Sequence, residues 1–251
     1  MSVFVANELA SILDSKISIG RINIGLLNRI IIDDLLLDDQ SGKEMLKVTR
    51  LSAKFDILPL FSGKISISNI QLFGFNINLN KQTPKDKPNF QFVLDAFASK
   101  DTVQKKNNLD LRINSLLIRR GKVSYDVLSE KETPGKFNPQ HLRLRNIIAN
   151  ISLKALQNDS INAAIKRLSI EEHSGFELKK LSLKVIGNDQ RMKIENFAID
   201  LPNTSLAMDT IHMDYDSLGA FDNLAQDVRF SFHLLPSQIA LQDLSAFVPA
   251  F

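Results

Sequence analysis

The stretch ISISNIQL at residues 65–72 constrains this chain more than any other. Apolar side chains stand at Ile65, Ile67, Ile70 and Leu72, with the polar pair Ser68 and Asn69 between them. Strict alternation would keep one face of a strand apolar at period two. Here the alternation slips by one residue between Ile67 and Ile70. A β-bulge lets a strand absorb the extra residue and return its apolar side chains to the same face.

The same eight-residue pattern recurs at 17–24 (ISIGRINI), 30–37 (IIIDDLLL), 46–53 (LKVTRLSA) and 111–118 (LRINSLLI). It returns at 142–149, 163–170, 176–183 (FELKKLSL), 192–199 (MKIENFAI), 206–213 (LAMDTIHM) and, less cleanly, at 239–246. The central pairs are nearly all polar: Asp33-Asp34, Thr49-Arg50, Asn114-Ser115, Lys179-Lys180 and Glu195-Asn196. One or two such octads arise by chance in any β-rich chain. This many, with polar centres, mark a repeated strand unit. Each central pair is expected to be a bulge facing away from the apolar side.

Helical periodicity is confined to short pieces. Residues 2–15 carry Val5, Leu9, Ile12 and Leu13 on one helical face, with Ser2 as a cap. DILPLFSGK (56–64) reads as a helical turn ended at Gly63, and Asn89 as the cap of a helix over FQFVLDAFA. SLGAFDNLAQ (217–226) is a further short helix, and strands over 229–235 and 239–247 finish the chain. DDQSGKEM, with Ser41-Gly42, fits a hairpin loop. KQTPKDKP and SKDTVQKKNN are polar loops.

Roughly a dozen strands thus present an apolar face, which left bare would bind other molecules or aggregate. A few short helices can plug the ends of a sheet; they cannot cover it. The sheet can pack on a second as a sandwich, close as a barrel, or curl into a trough occupied by something else. Bulges at similar heights favour curling. A closed sandwich satisfies the periodicity equally well. The expected fold is all-β with a few short helices: a long, strongly curled antiparallel sheet forming an open apolar groove (a β-taco), with a short N-terminal helix. Eight residues give a wall of about 26 Å, and a dozen strands a trough about 60 Å deep, dimensions that suit acyl chains. The expected lining is Ile65, Ile67, Ile70 and Leu72; Leu111, Ile113, Leu116 and Ile118; Met192, Ile194, Phe197 and Ile199; and Leu206, Met208, Ile211 and Met213.

At 251 residues, with 44% hydrophobic and 24% charged side chains, the chain has the composition of a folded soluble protein. Its net charge of +3 is spread without a basic tract, which argues against nucleic acid as a partner. The absence of Cys excludes disulfides and thiolate chemistry. No run approaches the length of a transmembrane helix, and no signal peptide is legible. The abrupt end at SAFVPAF reads as a cut from a longer protein. None of His141, His173, His212 and His233 has another His or a Cys at metal-ligand spacing. Asp33-Asp34 and Asp38-Asp39 lack the interleaved order of a calcium loop and read as a bulge pair and a solvated turn. Arg119-Arg120-Gly121-Lys122 offers a contact for lipid phosphates, against the ordinary reading of a solvated strand end. Asn158-Asp159-Ser160 matches a glycosylation sequon, a motif that recurs by accident. No catalytic motif is present. Neither enzyme chemistry, a cofactor nor a metal is expected.

The first eighty residues carry an ordered series: a helix, a strand with I-G, an L-x-D strand, the turn D-x-x-G-K, L-x-V-x-x-L, the segment P-L-x-x-G, and the strand at 65–72. In this order the chain resembles the N-terminal module of the TamB/AsmA-like family. NFQFVLDAFASK followed by LDLRINSLLIRRGKVSYD resembles more closely the TamB proteins of Bacteroides-type bacteria. The implied organisation is one structural domain within a longer protein. It comprises a helix over 1–16 that follows a membrane anchor, an AsmA-like β module over 17–80, a loop with a short helix over 81–108, and continuing curled sheet over 109–251.

The resemblance implies a periplasmic protein anchored in the inner membrane. It would be a lipid conduit that passes phospholipids to the outer membrane along its apolar interior, in architecture like the bridge-like lipid-transfer proteins. Its implied partners are phospholipid acyl chains, the inner membrane through an N-terminal anchor, and a TamA/BamA-like outer-membrane protein through a C-terminal region. The alternative is a chaperone-like scaffold of the translocation and assembly module that aids insertion of outer-membrane β-barrels by offering them a sheet edge.

Overall fold

The computed structural model describes residues 6–7, 10–11, 13–25, 28–56, 65–98, 109–157 and 160–244. Eleven strands form one sheet in sequence order, from β1 to β11. They are β1 Ile17–Gly25, β2 Arg29–Asp38, β3 Glu44–Asp56, β4 Ile65–Lys81, β5 Leu109–Val127 and β6 His141–Gln157. After them come β7 Ser160–Glu172, β8 Glu177–Gly187, β9 Arg191–Asp200, β10 Ser205–Tyr215 and β11 Val228–Leu234. The helical pieces are α1 Gln91–Ala98, a 3-10 turn Leu218–Asn223, α2 Leu224–Asp227 and a second 3-10 turn Leu241–Leu244. The described N-terminal residues Ala6, Asn7, Ala10, Ser11 and Leu13 are helical.

Each octad but the last lies in a strand, the one at 176–183 starting one residue before β8. Leu241–Leu244 is a 3-10 turn, and the only ladder contact nearby is the single bridge Ser205↔Gln238, so the expected strand over 239–247 is corrected within its described part. Nine neighbouring pairs are antiparallel, but β4 and β5 run parallel. That departure from an all-antiparallel sheet has a plain cause. The long segment between β4 and β5, which includes α1, supplies the crossover a parallel pair requires, whereas a tight turn joins only antiparallel neighbours. Residues 57–64, 99–108 and 158–159 lie outside the described residues, and with them the expected helical turn, one loop and the first two sequon positions.

The central pairs divide into two groups. Asn114-Ser115, Lys179-Lys180 and Glu195-Asn196 sit where the register shifts, as bulges do. Asp33-Asp34 and Thr49-Arg50 do not: Asp33 faces both Arg21 and Arg50, Leu35 faces both Ile19 and Val48, and the register continues across the pair without a shift. The expected bulges there are corrected. Neighbouring strands carry their extra residue at the same height, so the slip is shared and no residue is left over. The backbone absorbs it through positive φ at Asp34 (56°), Gly74 (63°) and Arg120 (55°).

Asn89 does not cap α1. Its Oδ1 accepts from the Asn80 backbone N–H at 3.0 Å, and its Nδ2 donates to Asp39 at 3.2 Å and to the Asn78 carbonyl at 3.1 Å. It pins the crossover to β4 and to the hairpin turn. In that turn Asp39 Oδ1 accepts from Ser41 N (2.9 Å), Ser41 Oγ (2.6 Å) and Lys43 N (3.1 Å), with Gly42 at φ 81°. Burial pushes the Asp39 carboxyl up, and these hydrogen bonds outweigh it, holding the group below its ordinary range. The acid is consumed by its own loop.

Candidate functional site

The register converts the octads into rows that cross the sheet. One runs Ile22–Ile32–Leu51–Leu72–Ile118–Ala149–Leu168–Leu181–Ile199–Leu206, directly facing residues from β1 to β10. Every member is apolar. A second runs Ile24–Ile30–Ala53–Ile70–Leu116–Ile151–Ile165–Leu183 from β1 to β8. Facing residues project to the same side, so the rows build one apolar face.

Three clusters show how that face is covered. In the middle, Val48, Phe75 and Ile147 are buried among Leu35, Leu51, Leu72 and Ile118. At one end Phe92 of α1 packs on Leu37 and Met45, together with Leu13, Phe90 and Val93. At the opposite end of the strands the 3-10 turn brings Ala220 and Phe221 onto Met213, Tyr215 and Val228. Tyr215 meets Phe221 edge-on at 4.8 Å and donates to the Asn188 carbonyl at 2.7 Å. Between these caps no second layer is present among the described residues. The row from Ile22 to Leu206 is only partly buried, apart from Ala149. The chain exposes 16714 Å² for its 28.2 kDa. A compact monomer of that mass exposes about 11,000 Å².

Eight expected lining residues form four facing pairs across β9 and β10: Met192↔Met213, Ile194↔Ile211, Phe197↔Met208 and Ile199↔Leu206. Ile70↔Leu116 and Leu72↔Ile118 face each other across β4 and β5. The register therefore groups these twelve on one face. Met213 is 7% exposed beneath the 3-10 turn and belongs to an end cap, not to the bare stretch. The side chains of Ile65, Ile67, Leu111 and Ile113 lie outside the described residues. Towards the far edge cover falls away: on β11 Phe230, Phe232 and Leu234 are 50%, 60% and 51% exposed.

Comparison with family models yields no match, and comparison with curated proteins yields none. Among the described residues no helix is long and apolar enough to cross a membrane.

One cluster was hidden from sequence reasoning. Asp126, Glu132 and His141 converge within 4.8 Å, with residue types that ligate metals. Arg143 already fills the centre: its guanidinium lies 2.8 Å from Asp126 and 3.4 Å from Glu132. His141 Nδ1 lies 2.8 Å from Asp126 and Nε2 3.0 Å from the Glu130 carbonyl. Two acceptors on two ring nitrogens favour the imidazolium, and the Asp126 hydrogen bond raises the His141 pKa above its ordinary value. The cluster is an ion-pair network that ties the loop over 128–140 to β5 and β6.

Proposed function

We propose that this chain is a membrane-proximal segment of a TamB/AsmA-like lipid conduit, non-enzymatic, whose apolar face carries phospholipid acyl chains across the periplasm in support of the outer membrane. The observation that carries this reading is the unbroken apolar row from Ile22 to Leu206, which among the described residues has no second layer over it and caps only towards the ends of the sheet. Each square ångström of that face taken from water is worth about 25 cal/mol, so acyl chains would be held by area, without a specific pocket. In this proposal the sheet forms the floor of a curled trough. Shifts at Lys179-Lys180 and Glu195-Asn196, and positive φ at Asp34, Gly74 and Arg120, supply the bend. An inner-membrane anchor and a TamA/BamA-like partner belong to the same proposal and rest on the sequence resemblance.

A second reading has its own observation. β11 is paired on one side only, and its Phe230, Phe232 and Leu234 are half-exposed or more, which suits a scaffold offering an edge to an incoming strand of an outer-membrane protein.

The deciding experiment is mass spectrometry of lipid retained through purification, paired with transfer of fluorescent phospholipid between vesicles. Retained phospholipid that is lost in Ile118→Asp supports the conduit. A lipid-free protein that instead protects an unfolded outer-membrane β-barrel from aggregation supports the scaffold and overturns the conduit.

A further inference from the structure

On the face opposite the apolar rows, the shared slip has a second effect. Where each strand carries its extra residue, two consecutive residues face outside: Gly20-Arg21, Asp33-Asp34, Thr49-Arg50, Phe73-Gly74 and Arg119-Arg120. Register aligns them, since Arg21 faces Asp33, Asp33 faces Arg50, Arg50 faces Phe73 and Phe73 faces Arg119. The resulting band borders a depression of about 860 Å³. That volume lies within the roughly 300–1,000 Å³ of small-molecule sites.

Four arginines and two aspartates make the band net positive. Arg50 contacts Asp33 through its Nε at 2.7 Å, and that guanidinium, with a smaller contribution from the charge of Arg21, holds the Asp33 carboxyl below its ordinary range. Neither Arg21 nor Arg119 makes a hydrogen bond or a close ion pair with any described residue. Arg120 lies 5.1 Å over the Phe73 ring. Phe73, 40% exposed, gives the depression an apolar wall with Leu117.

We propose that this depression binds a phosphate group carried on an apolar body, with Arg119 taking the phosphate, Phe73 and Leu117 beside it taking the body, and Arg21, four strands away, adding positive charge to the depression without touching the phosphate. Guanidinium forks match phosphate oxygens in pairs, which makes Arg the usual residue for this task. Asp34 is the repulsive element, since its carboxylate stands in the same band. The site goes beyond the conduit reading and does not rest on it, because its charged groups lie on the other face of the sheet.

Isothermal titration with dihexanoyl phosphatidic acid, dihexanoyl phosphatidylcholine and inorganic phosphate tests it on the purified chain. Phosphatidic acid should bind tightest. Arg119→Gln should weaken it by about tenfold, Arg21→Gln by about twofold through charge at a distance, and Arg119→Lys should only partly restore it. Asp34→Asn should tighten it by about threefold. A double Arg21→Gln/Arg119→Gln variant that binds as the parent does overturns the site. Inorganic phosphate binding as tightly as phosphatidic acid overturns the apolar half. Both arginines are exposed, so the melting temperature should hold in every arginine variant.

Discussion

Phe75 lies across Gly121: a Cβ placed at 121 would stand 2.3 Å from the ring's Cζ and 3.1 Å from the Cβ of Ile147. The two face each other in the parallel pair β4–β5, and Gly121 interrupts a row whose other members, Ile19, Leu35, Val48 and Ile147, carry side chains. The missing side chain is the space that the ring fills. Gly121→Ala should therefore force Phe75 off its seat and cost about 1–3 kcal/mol, measured by urea unfolding. Phe75→Leu in the same background should recover part of the loss.

Gly74 is held for a different reason. Its φ is 63°, and a Cβ there would meet Thr49 Oγ1 at 2.8 Å. Gly74→Ala pays both a left-handed backbone and a contact, for a destabilisation of about 1–2 kcal/mol or somewhat more. Thr49→Ala should relieve the contact alone, so a double-mutant cycle will separate the two costs.

The apolar face and its caps should respond differently to charge. Met213 is sealed under Ala220 and Phe221, and an unpaired carboxylate there should cost several kcal/mol, roughly the penalty of an unsatisfied buried group. Ile118 is only partly buried, with no second layer over it among the described residues, so Ile118→Asp can reach water and should leave a folded protein. Paired melting curves for Met213→Asp and Ile118→Asp will test this. Equal loss in both would mean that the face is sealed.

The loop over 128–140 should loosen with rising pH. His141 has its pKa raised by Asp126, so its protonated form stabilises the fold. That contribution is fully present below its unfolded value, near 6.5, and is lost as pH climbs through the raised folded value. Hydrogen exchange across 128–140 should accelerate over that window. In Asp126→Asn the His141 titration, followed by NMR, should fall back towards its ordinary position.

How much of this was legible beforehand depends on distance along the chain. The strands were legible because side-chain period is a local property: eight residues suffice to show which alternate side chains are apolar. The hairpin at Ser41-Gly42 and the short helix after Asn89 were legible for the same reason. The role of Asn89 was not, because its partners Asn78, Asn80 and Asp39 come from a strand and a turn far from the helix it precedes. Nor was the His141 network, whose members meet only when a loop folds back over two strands.

The octads fixed that some face would be apolar, and composition ruled out disulfide and thiolate chemistry. Only pairing decided that Ile22 and Leu206 would end one row, that β5 would lie parallel to β4, and that Arg119, read as a strand end, would stand mid-strand beside Phe73 and in line with Arg21. Register is a relation between strands: a slip within one strand is invisible in its effect until its neighbours are known to slip with it or against it. Where they slip together, at Asp34 and Thr49, the register continues without a shift and an arginine-rich band results. Where they do not, as at Lys179-Lys180, a bulge remains.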